Sequence, residues 1–361
     1  MHLIITRTFP PEVGGMQNLM WGLAKSLAKH YMIKVFADFH NDQKLHDAKT
    51  SFSIERIKSV KLLRKYRKAN LINQYINENK NINGIIADHW KSLELINFNK
   101  KKICLIHSKE INHKAGTNLN KRVLKVLNNT DFVVANSQFT KNLAINIGVI
   151  PEKITVINPG IDMAEKLSKK NLEQTNKLLK NKFPILITVS RYDKRKNHEK
   201  VFMAIKNLKA LHPNIVYICI GYGDEKENLI KLSNELKIND NIIFLENLNS
   251  NFKNALVSKS NIFVMPSIIH KRSVEGFGIA FIEAAQYGVP SLGGTDGGAA
   301  DAIINNETGL LCDGNNLNEI YDCIQSMLEH KKYIELGKNA KKFSEKFYWE
   351  KIVLEYKKIL N

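Results

Sequence analysis

Short apolar runs, four to six residues long, alternate with amphipathic stretches along most of the chain. Leu3–Thr6, Ile33–Ala37, Gly84–Ala87, Lys102–Ile106, Phe132–Ala135 and Ile154–Ile157 predict a first set of strands. After a lysine-rich polar segment the pattern restarts at Ile185–Val189, Ile215–Ile220, Ile242–Leu245, Ile262–Met265 and Pro290–Gly293. Near-continuous Val and Ile with helices between them mark buried parallel strands. The predicted fold class is therefore α/β, with two Rossmann-like, doubly wound parallel-sheet domains facing a cleft and ligands near the strands' carboxyl ends. The boundary is placed in INPGID, Ile157–Asp162, because Asn158, Pro159 and Gly160 form a turn that neither helix nor strand tolerates. The expected domains are residues 1–160 and 161–344, the second opening on a polar helical connector. The last stretch, FYWEKIVLEYKKIL, spaces Phe347, Tyr348, Trp349, Ile352, Val353 and Tyr356 as one helix face that must dock on something.

A length of 361 residues agrees with two cores. Lys and Arg number 54 against 35 Asp and Glu, a net charge of +19, which favours an anionic partner: nucleic acid, an anionic membrane surface or a phosphorylated small molecule. A Lys- and Asn-rich composition with no partner attached fits the charge equally well. There is no RNP, zinc-finger or helix-turn-helix signature, so no nucleic acid is expected. The four cysteines, Cys104, Cys219, Cys312 and Cys323, lack metal-type spacing, which suits a reducing compartment. No apolar run approaches the ~20 residues of a membrane span. The N-terminus has only a four-residue apolar run before Arg7, unlike a signal peptide, and a cytoplasmic location is expected.

Candidate chemistry concentrates in a few loops. In EGFGIAFIEAAQYGVP, Glu275 and Glu283 sit eight apart. A helix starting near Gly278 would turn the amides of Gly276, Phe277, Gly278 and Ile279 toward an anion such as pyrophosphate. Glu283, one turn in on an apolar helix, would need a buried partner such as a ribose diol, and Glu275 would reach the far end of the same ligand. The same residues fit a glycine-capped helix whose Glu283 snorkels to the surface. In VSRYDKRKNHEKVF, Arg191 and Lys196 follow a strand end and suit a diphosphate, Arg by forking two oxygens and Lys as a point charge; a solvated basic loop is the plainer reading. Gly14 and Gly15 open a helix after the first strand and would let a ligand approach the backbone, or simply join strand to helix. His107 follows Lys102–Ile106, faces the expected crevice and suits a sugar hydroxyl or the positioning of an acceptor, with His113 as a rival; an ordinary surface or turn histidine fits equally well. Residues 57–75, IKSVKLLRKYRKANLINQY, set Leu62, Leu63, Tyr66, Ala69 and Leu71 against Lys61, Arg64, Lys65, Arg67 and Lys68. That is the form of an interfacial helix for anionic lipid, although exposed basic helices without membrane contact are common too.

In combination, the Gly-Gly loop, R-x4-K after the first strand of the second half, and E-G-F-G-x4-E ahead of GVPSLGGTDGGAADAI resemble the retaining GT-B glycosyltransferases of family 4, the E-x7-E group. The details VGGMQ, RYDKRK and VEGFGIAFIEAAQYGVP are most similar to bacterial mannosyltransferases of the phosphatidylinositol-mannoside and exopolysaccharide kind, and the resemblance spans nearly the whole chain. It implies that helix 345–361 crosses back onto the first, acceptor-side domain. It further implies that Arg191 and Lys196 bind the donor diphosphate, that Gly276–Ile279 lend amides to it, and that Glu283 holds the ribose. Glu275 would contact the donor sugar, Gly15 would close on the phosphate, and His107 would sit at the reacting centre. The implied activity is transfer of a hexose, by this resemblance mannose from GDP-mannose, to a lipid-linked or lipopolysaccharide-type saccharide acceptor at the inner face of the cell membrane. The implied mechanism is front-face attack with retention, without a protein nucleophile, and the resemblance implies that no metal and no cofactor is needed. A UDP-sugar-dependent transferase of the same fold, a nucleotide-sugar 2-epimerase and a non-enzymatic basic membrane or nucleic-acid binding protein are the alternatives. One departure stands out: many relatives carry His-x-His-Glu where this chain has HSKE, with Lys109 in second place.

Overall fold

The computed structural model describes residues 1–60 and 62–361; Lys61, one of the cations of the 57–75 segment, lies outside the described residues. Contacts group Met1–Asp162 with Phe347–Asn361 as one compact unit and Met163–Lys346 as a second.

The first unit is built on a seven-stranded sheet of β1 (His2–Ile5), β2 (Ile33–Asp38), β3 (Ser53–Ile57), β4 (Gly84–Ala87), β5 (Lys101–Ile106), β6 (Phe132–Ala135) and β7 (Ile154–Val156), in the order β3-β2-β1-β4-β5-β6-β7. All neighbours run parallel, Ile5 lying opposite Phe36 of β2 on one side and Ala87 of β4 on the other. Strand order reverses between β1 and β4, where a crevice opens at the carboxyl ends of an open parallel sheet. Leu3, Ile4, Ile5, Ile85 and Ile86 are wholly buried, because each face of the sheet carries helices.

The second unit holds β8 (Ile185–Val189), β9 (Val216–Ile220), β10 (Ile242–Leu245), β11 (Ile262–Met265), β12 (Ser291–Gly294) and β13 (Gly309–Cys312), in the order β10-β9-β8-β11-β12-β13. Its reversal lies between β8 and β11, with Leu186 opposite Ile262. The polar connector is not a free linker. It forms the helix Lys169–Leu178, capped by Ser168, and Asn251 Oδ1 accepts from the Ser168 amide at 2.8 Å.

The final helix, Trp349–Leu360, buries Trp349, Ile352, Val353, Tyr356, Ile359 and Leu360 in the first unit's core, beside Leu19, Met20, Leu23 and Leu27 of the helix Gly15–Leu27. Close approach depends on a missing side chain. A Cβ on Gly22 would lie 2.1 Å from Trp349 Nε1, so only glycine admits the indole there.

Two strands escaped the apolar pattern. β3 is an edge strand whose SIERI sequence leaves Ser53 exposed and Ile54, Glu55 and Arg56 partly buried. β13 is only four residues long. The first of these corrects the expected membrane helix: Ile57 ends a strand, and the helix runs Arg64–Glu78. Much of its charge is also turned inward. Lys68 is buried, pairing with Asp38 Oδ1 at 2.8 Å and donating to Thr6 O; Arg64 meets Asp38 Oδ2 at 2.9 Å, and Lys65 pairs with Glu94. Ala69 is buried and Leu71 packs against the core, leaving Leu62, Leu63 and Tyr66 exposed with Arg67.

Candidate active site

In the second unit, the loops after β8 and β11 meet where the strand order reverses. The chain leaves β8 at Ser190, makes a tight turn at Lys194–Lys196, and enters the helix His198–Leu208 through Asn197 in the left-handed region. Asn197 Nδ2 donates to Pro266 O at 2.9 Å and to Gly314 O at 2.7 Å, while the Ile268 amide donates to Arg195 O at 3.0 Å. These bonds pin the loops after β8, β11 and β13 together, so side chains projecting from them are held in place rather than free.

Glu275 is the buried carboxylate of this cluster. Its Oε2 takes the Arg195 guanidinium at 2.6 Å and the Lys196 ammonium, whose Nζ also lies 3.3 Å from Met265 Sδ. Burial alone would raise the Glu275 carboxyl, but the fields and hydrogen bonds of Lys196 and Arg195 outweigh it and hold it at about 2. Asp193 Oδ2 lies 3.9 Å from Arg195 as well, so Arg195 and Lys196 face two carboxylates, and Arg191 makes a third cation in a region where charge is poorly screened. Arg191, earlier in the same loop, keeps 67% of its side chain exposed, with Asp193 3.9 Å away. Under the loop, neutral His198, pulled down to about 3 mainly by burial, bridges Tyr217 Oη at 3.0 Å and Ser190 Oγ at 3.2 Å.

The E-x7-E segment departs from expectation in its second glutamate. Gly278, at φ 92°, starts the helix Ile279–Ala285, with Gly276 and Phe277 buried ahead of it. That helix buries Phe281, Ile282, Ala284 and Ala285, turning Glu283 outward: its side chain is 34% exposed, 4.0 Å from Lys253. The buried charge that needs a partner is Glu275, not Glu283, and the protein supplies its partners. Arg195 was missed by sequence reasoning. The KRK triplet at 194–196 was its only signal, and nothing in a triplet tells which member faces inward.

In the first unit, Gly14 is extended at φ 164° and caps the helix that Gly15 begins; a Cβ on Gly15 would meet nothing within 4 Å, so the space beside it is open. His107 follows β5 and donates from Nε2 to Asp88 O at 3.2 Å, while its amide donates to Glu110 Oε1. The His113 amide donates to Ile111 O at 2.7 Å. Lys109, in the HSKE segment, is exposed. Thus His107, Asp88 and Arg7, whose amide donates to Asp88 Oδ2 at 2.7 Å, come together in this unit, and Arg191, Arg195, Lys196 and Glu275 in the other. Among the described residues no group of three or more His, Cys, Asp or Glu side chains is placed to hold a metal ion, and no helix is long and apolar enough to cross a membrane.

Residues 13–165 match the family model for Glycosyltransferase Family 4, and residues 169–343 match that for Glycosyl transferases group 1. The two matches together take in most of the chain, which belongs to the glycosyltransferases of the GT-B fold. The GDP-mannose-dependent alpha-(1-6)-phosphatidylinositol monomannoside mannosyltransferase of Mycolicibacterium smegmatis is 20% identical over 341 residues, covering 90% of this chain and 88% of that one. An uncharacterized glycosyltransferase of Methanocaldococcus jannaschii is 30% identical over 237 residues, covering 65% of this chain and 59% of its own. Among solved structures, Anabaena HepE in complex with UDP-glucose superposes with a TM-score of 0.83 at 18% identity, covering 100% of this chain and 99% of that one. At that identity the likeness concerns fold alone.

Proposed function

We propose that the protein transfers a hexose from a nucleotide-diphosphate sugar to a lipid-linked or saccharide acceptor, with retention of configuration. The observation that carries this reading is the buried Arg195–Lys196–Glu275 cluster, with exposed Arg191 beside it, at the strand reversal of the second sheet. A leaving diphosphate gains negative charge as the glycosidic bond breaks, and fixed cations in a poorly screened site stabilise that charge without reorganising. Arg191 suits two phosphate oxygens, and Lys196, fixed by Glu275, adds a point charge. The half-exposed Glu283 is free to accept from a ribose diol, and the loop Gly276–Ile279 to offer amides. In the first unit, His107 serves the acceptor. No nucleophile is assigned; the leaving diphosphate oxygen takes the acceptor's proton on the same face.

Mannose from GDP-mannose is the donor we favour, supported by the mycobacterial relative that uses it. A UDP-sugar donor is the second reading, supported by the fold shared with a protein solved with UDP-glucose. The reading also includes peripheral attachment to an anionic membrane through exposed Leu62, Leu63, Tyr66 and Arg67.

A thermal-shift screen of GDP, UDP, ADP and their sugars tests the donor, since a ligand at 100 times its Kd stabilises by about 2.7 kcal/mol. Lys196→Ala leaves Glu275 paired with Arg195, so folding persists while donor turnover is abolished. Retained turnover in that variant, or release of an epimer instead of a transferred sugar, would sink the proposal.

A further inference from the structure

Beneath the loop that follows β8, four polar side chains form a line whose hydrogens can be counted end to end. Thr188 Oγ1 donates to Val264 O, which uses its only hydrogen. Tyr217 Oη lies 2.6 Å from Thr188 Oγ1 and must therefore be the donor of that bond. With its own hydrogen spent, Tyr217 Oη can only accept from His198, so the ring proton sits on Nδ1, 3.0 Å away. Cys219 Sγ, 3.9 Å from the same nitrogen, makes the weaker contact. His198 Nε2 then carries no hydrogen, and the Ser190 hydroxyl, 3.2 Å from it, donates to it. The Arg191 carbonyl also lies 3.2 Å from Ser190 Oγ, but it belongs to an exposed residue and can take water instead. Nε2 belongs to a buried ring, where a missing donor costs more.

One end of this line reaches the surface. Thr188, Tyr217 and His198 are buried, whereas Ser190 is partly exposed, at the end of β8 where the sheet reverses and next to Arg191. Its backbone is held as firmly as its side chain. The Ser190 amide donates to Ile220 O at 3.0 Å, and a Cβ on Gly221 would lie 1.8 Å from Ser190 O, so β9 packs directly against it. Tyr217, standing where a carboxylate would have to stand, gives the ring nothing to stabilise a positive charge, and burial and then Lys196 keep His198 neutral down to about 3. Ser190 therefore keeps its hydrogen, committed to His198, and does not become a nucleophile. What its oxygen still offers is acceptor capacity alone.

We propose that Ser190 binds the donor substrate by accepting a hydrogen bond from one of its sugar hydroxyls, and that His198 is the positioning residue behind it. The inference rests on the transferase reading and divides the work within it. Arg191 and Lys196 take ionised phosphate oxygens, which have no hydrogen to give, and Ser190 takes a hydroxyl, of the ribose or of the hexose. A phosphate oxygen set against Ser190 would face lone pairs with lone pairs, so the hydrogen-bond line steers the diphosphate away from this side chain.

The test titrates the full native chain and its Ser190→Ala variant by calorimetry. The ligands are GDP, UDP and ADP, the 2′-deoxy and 3′-deoxy form of each, and GDP-mannose, UDP-glucose and ADP-glucose. Loss of one hydrogen bond should weaken binding to the variant about three- to ten-fold. A loss with the nucleoside diphosphate that disappears in one deoxy form marks a ribose hydroxyl, and a loss confined to the nucleotide sugar marks a hexose hydroxyl; both support the inference. Equal loss across a nucleoside diphosphate and both its deoxy forms would mean a bond to phosphate and overturn it, as would undiminished affinity for every ligand. The line itself is read from isotopically labelled histidine rings by nuclear magnetic resonance. The ring absent from the His198→Gln spectrum should carry its hydrogen on Nδ1, and its Nε2 resonance should move in Ser190→Ala. A hydrogen on Nε2 would overturn the positioning role of His198. Failure of every nucleotide and nucleotide sugar to bind the native chain would instead overturn the transferase reading, and the role of Ser190 with it.

Discussion

Replacing Glu275 by Gln keeps the shape of the side chain and removes its charge, leaving Arg195 and Lys196 side by side in a buried site. The carboxyl stands at about 2 in the folded protein against an ordinary 4.5. At about 1.4 kcal/mol per pH unit, that difference makes the ionised cluster worth about 3–4 kcal/mol. The site is buried, so solvent screening takes little from this figure, and it agrees with the ~3–5 kcal/mol that losing one partner of a buried ion pair costs. The tryptophans, Trp21, Trp90 and Trp349, all belong to the first unit, so their emission is blind to this change. The assay is hydrogen exchange over β8 and β11, where a loss of that size speeds global exchange about 100-fold.

The pH dependence supplies an independent check. The folded carboxyl is depressed, so its contribution is complete above pH 4.5 and is lost as the pH falls toward about 2. The gap between wild type and E275Q should therefore be constant above pH 4.5 and close across that window. A gap below about 1 kcal/mol at pH 7, or one that persists undiminished at pH 2, would show that Glu275 does not hold the two cations as described.

Three further outcomes are expected. Gly22→Ala drives a Cβ into the Trp349 indole and should destabilise the first unit by ~1–3 kcal/mol in urea denaturation; combined with Trp349→Ala, itself costing ~3–5 kcal/mol, its effect should largely vanish. His198 stays neutral in the fold down to about pH 3 but protonates near 6.5 when unfolded, so stability falls with pH below 6.5; His198→Gln should remove about 1.4 kcal/mol per pH unit of that slope in acid denaturation curves. Serine at Leu62, Leu63 and Tyr66 together should cut co-sedimentation with anionic vesicles at least about ten-fold without shifting the thermal midpoint, because all three side chains are exposed; unchanged sedimentation would remove the membrane from the reading.

What the sequence discloses depends on how locally each property is determined. Buried parallel strands need an unbroken apolar run, so β4, β6, β8 and β11 could be read to the residue, and the edge strand β10 could too because its IIFL is wholly apolar. The edge strand β3 could not be, because its Glu55 and Arg56 are tolerated where one side is open: Glu55 pairs with Lys34 at 2.9 Å and Arg56 with Asp47 at 2.7 Å. The same Arg and Lys counts that suggested a lipid-facing helix hid the pairing of Lys68 with Asp38, a contact set by the neighbouring strand β2 and invisible in the segment itself. Arg191 and Arg195 differ as chain neighbours in nothing but the turn between them. Asn197 in the left-handed region and the bond from Ile268 to Arg195 O aim Arg195 inward, and Arg191 is left to solvent.

The exchange of roles between Glu275 and Glu283 is the sharpest case, and helical period explains it. Apolar neighbours on both sides of Glu283 suggest burial only if the chain is read as a line. On a helix, the residues sharing its stripe are three and four positions away, Ile279 and Ala280, and both are only partly buried, whereas Phe281, Ile282, Ala284 and Ala285 take the core face. Glu275 lies outside the helix, in a loop where period says nothing. Its burial follows from two cations donated by a loop eighty residues earlier in the chain, at Arg195 and Lys196. In the function proposed above, Glu283, partly exposed on its helix stripe, meets the ligand, and Glu275, placed by paired cations, holds those cations in position. That division of labour between the two ends of E-x7-E is what turnover by E283A and stability of E275Q would separate, the first losing donor affinity with little change in stability and the second losing stability first.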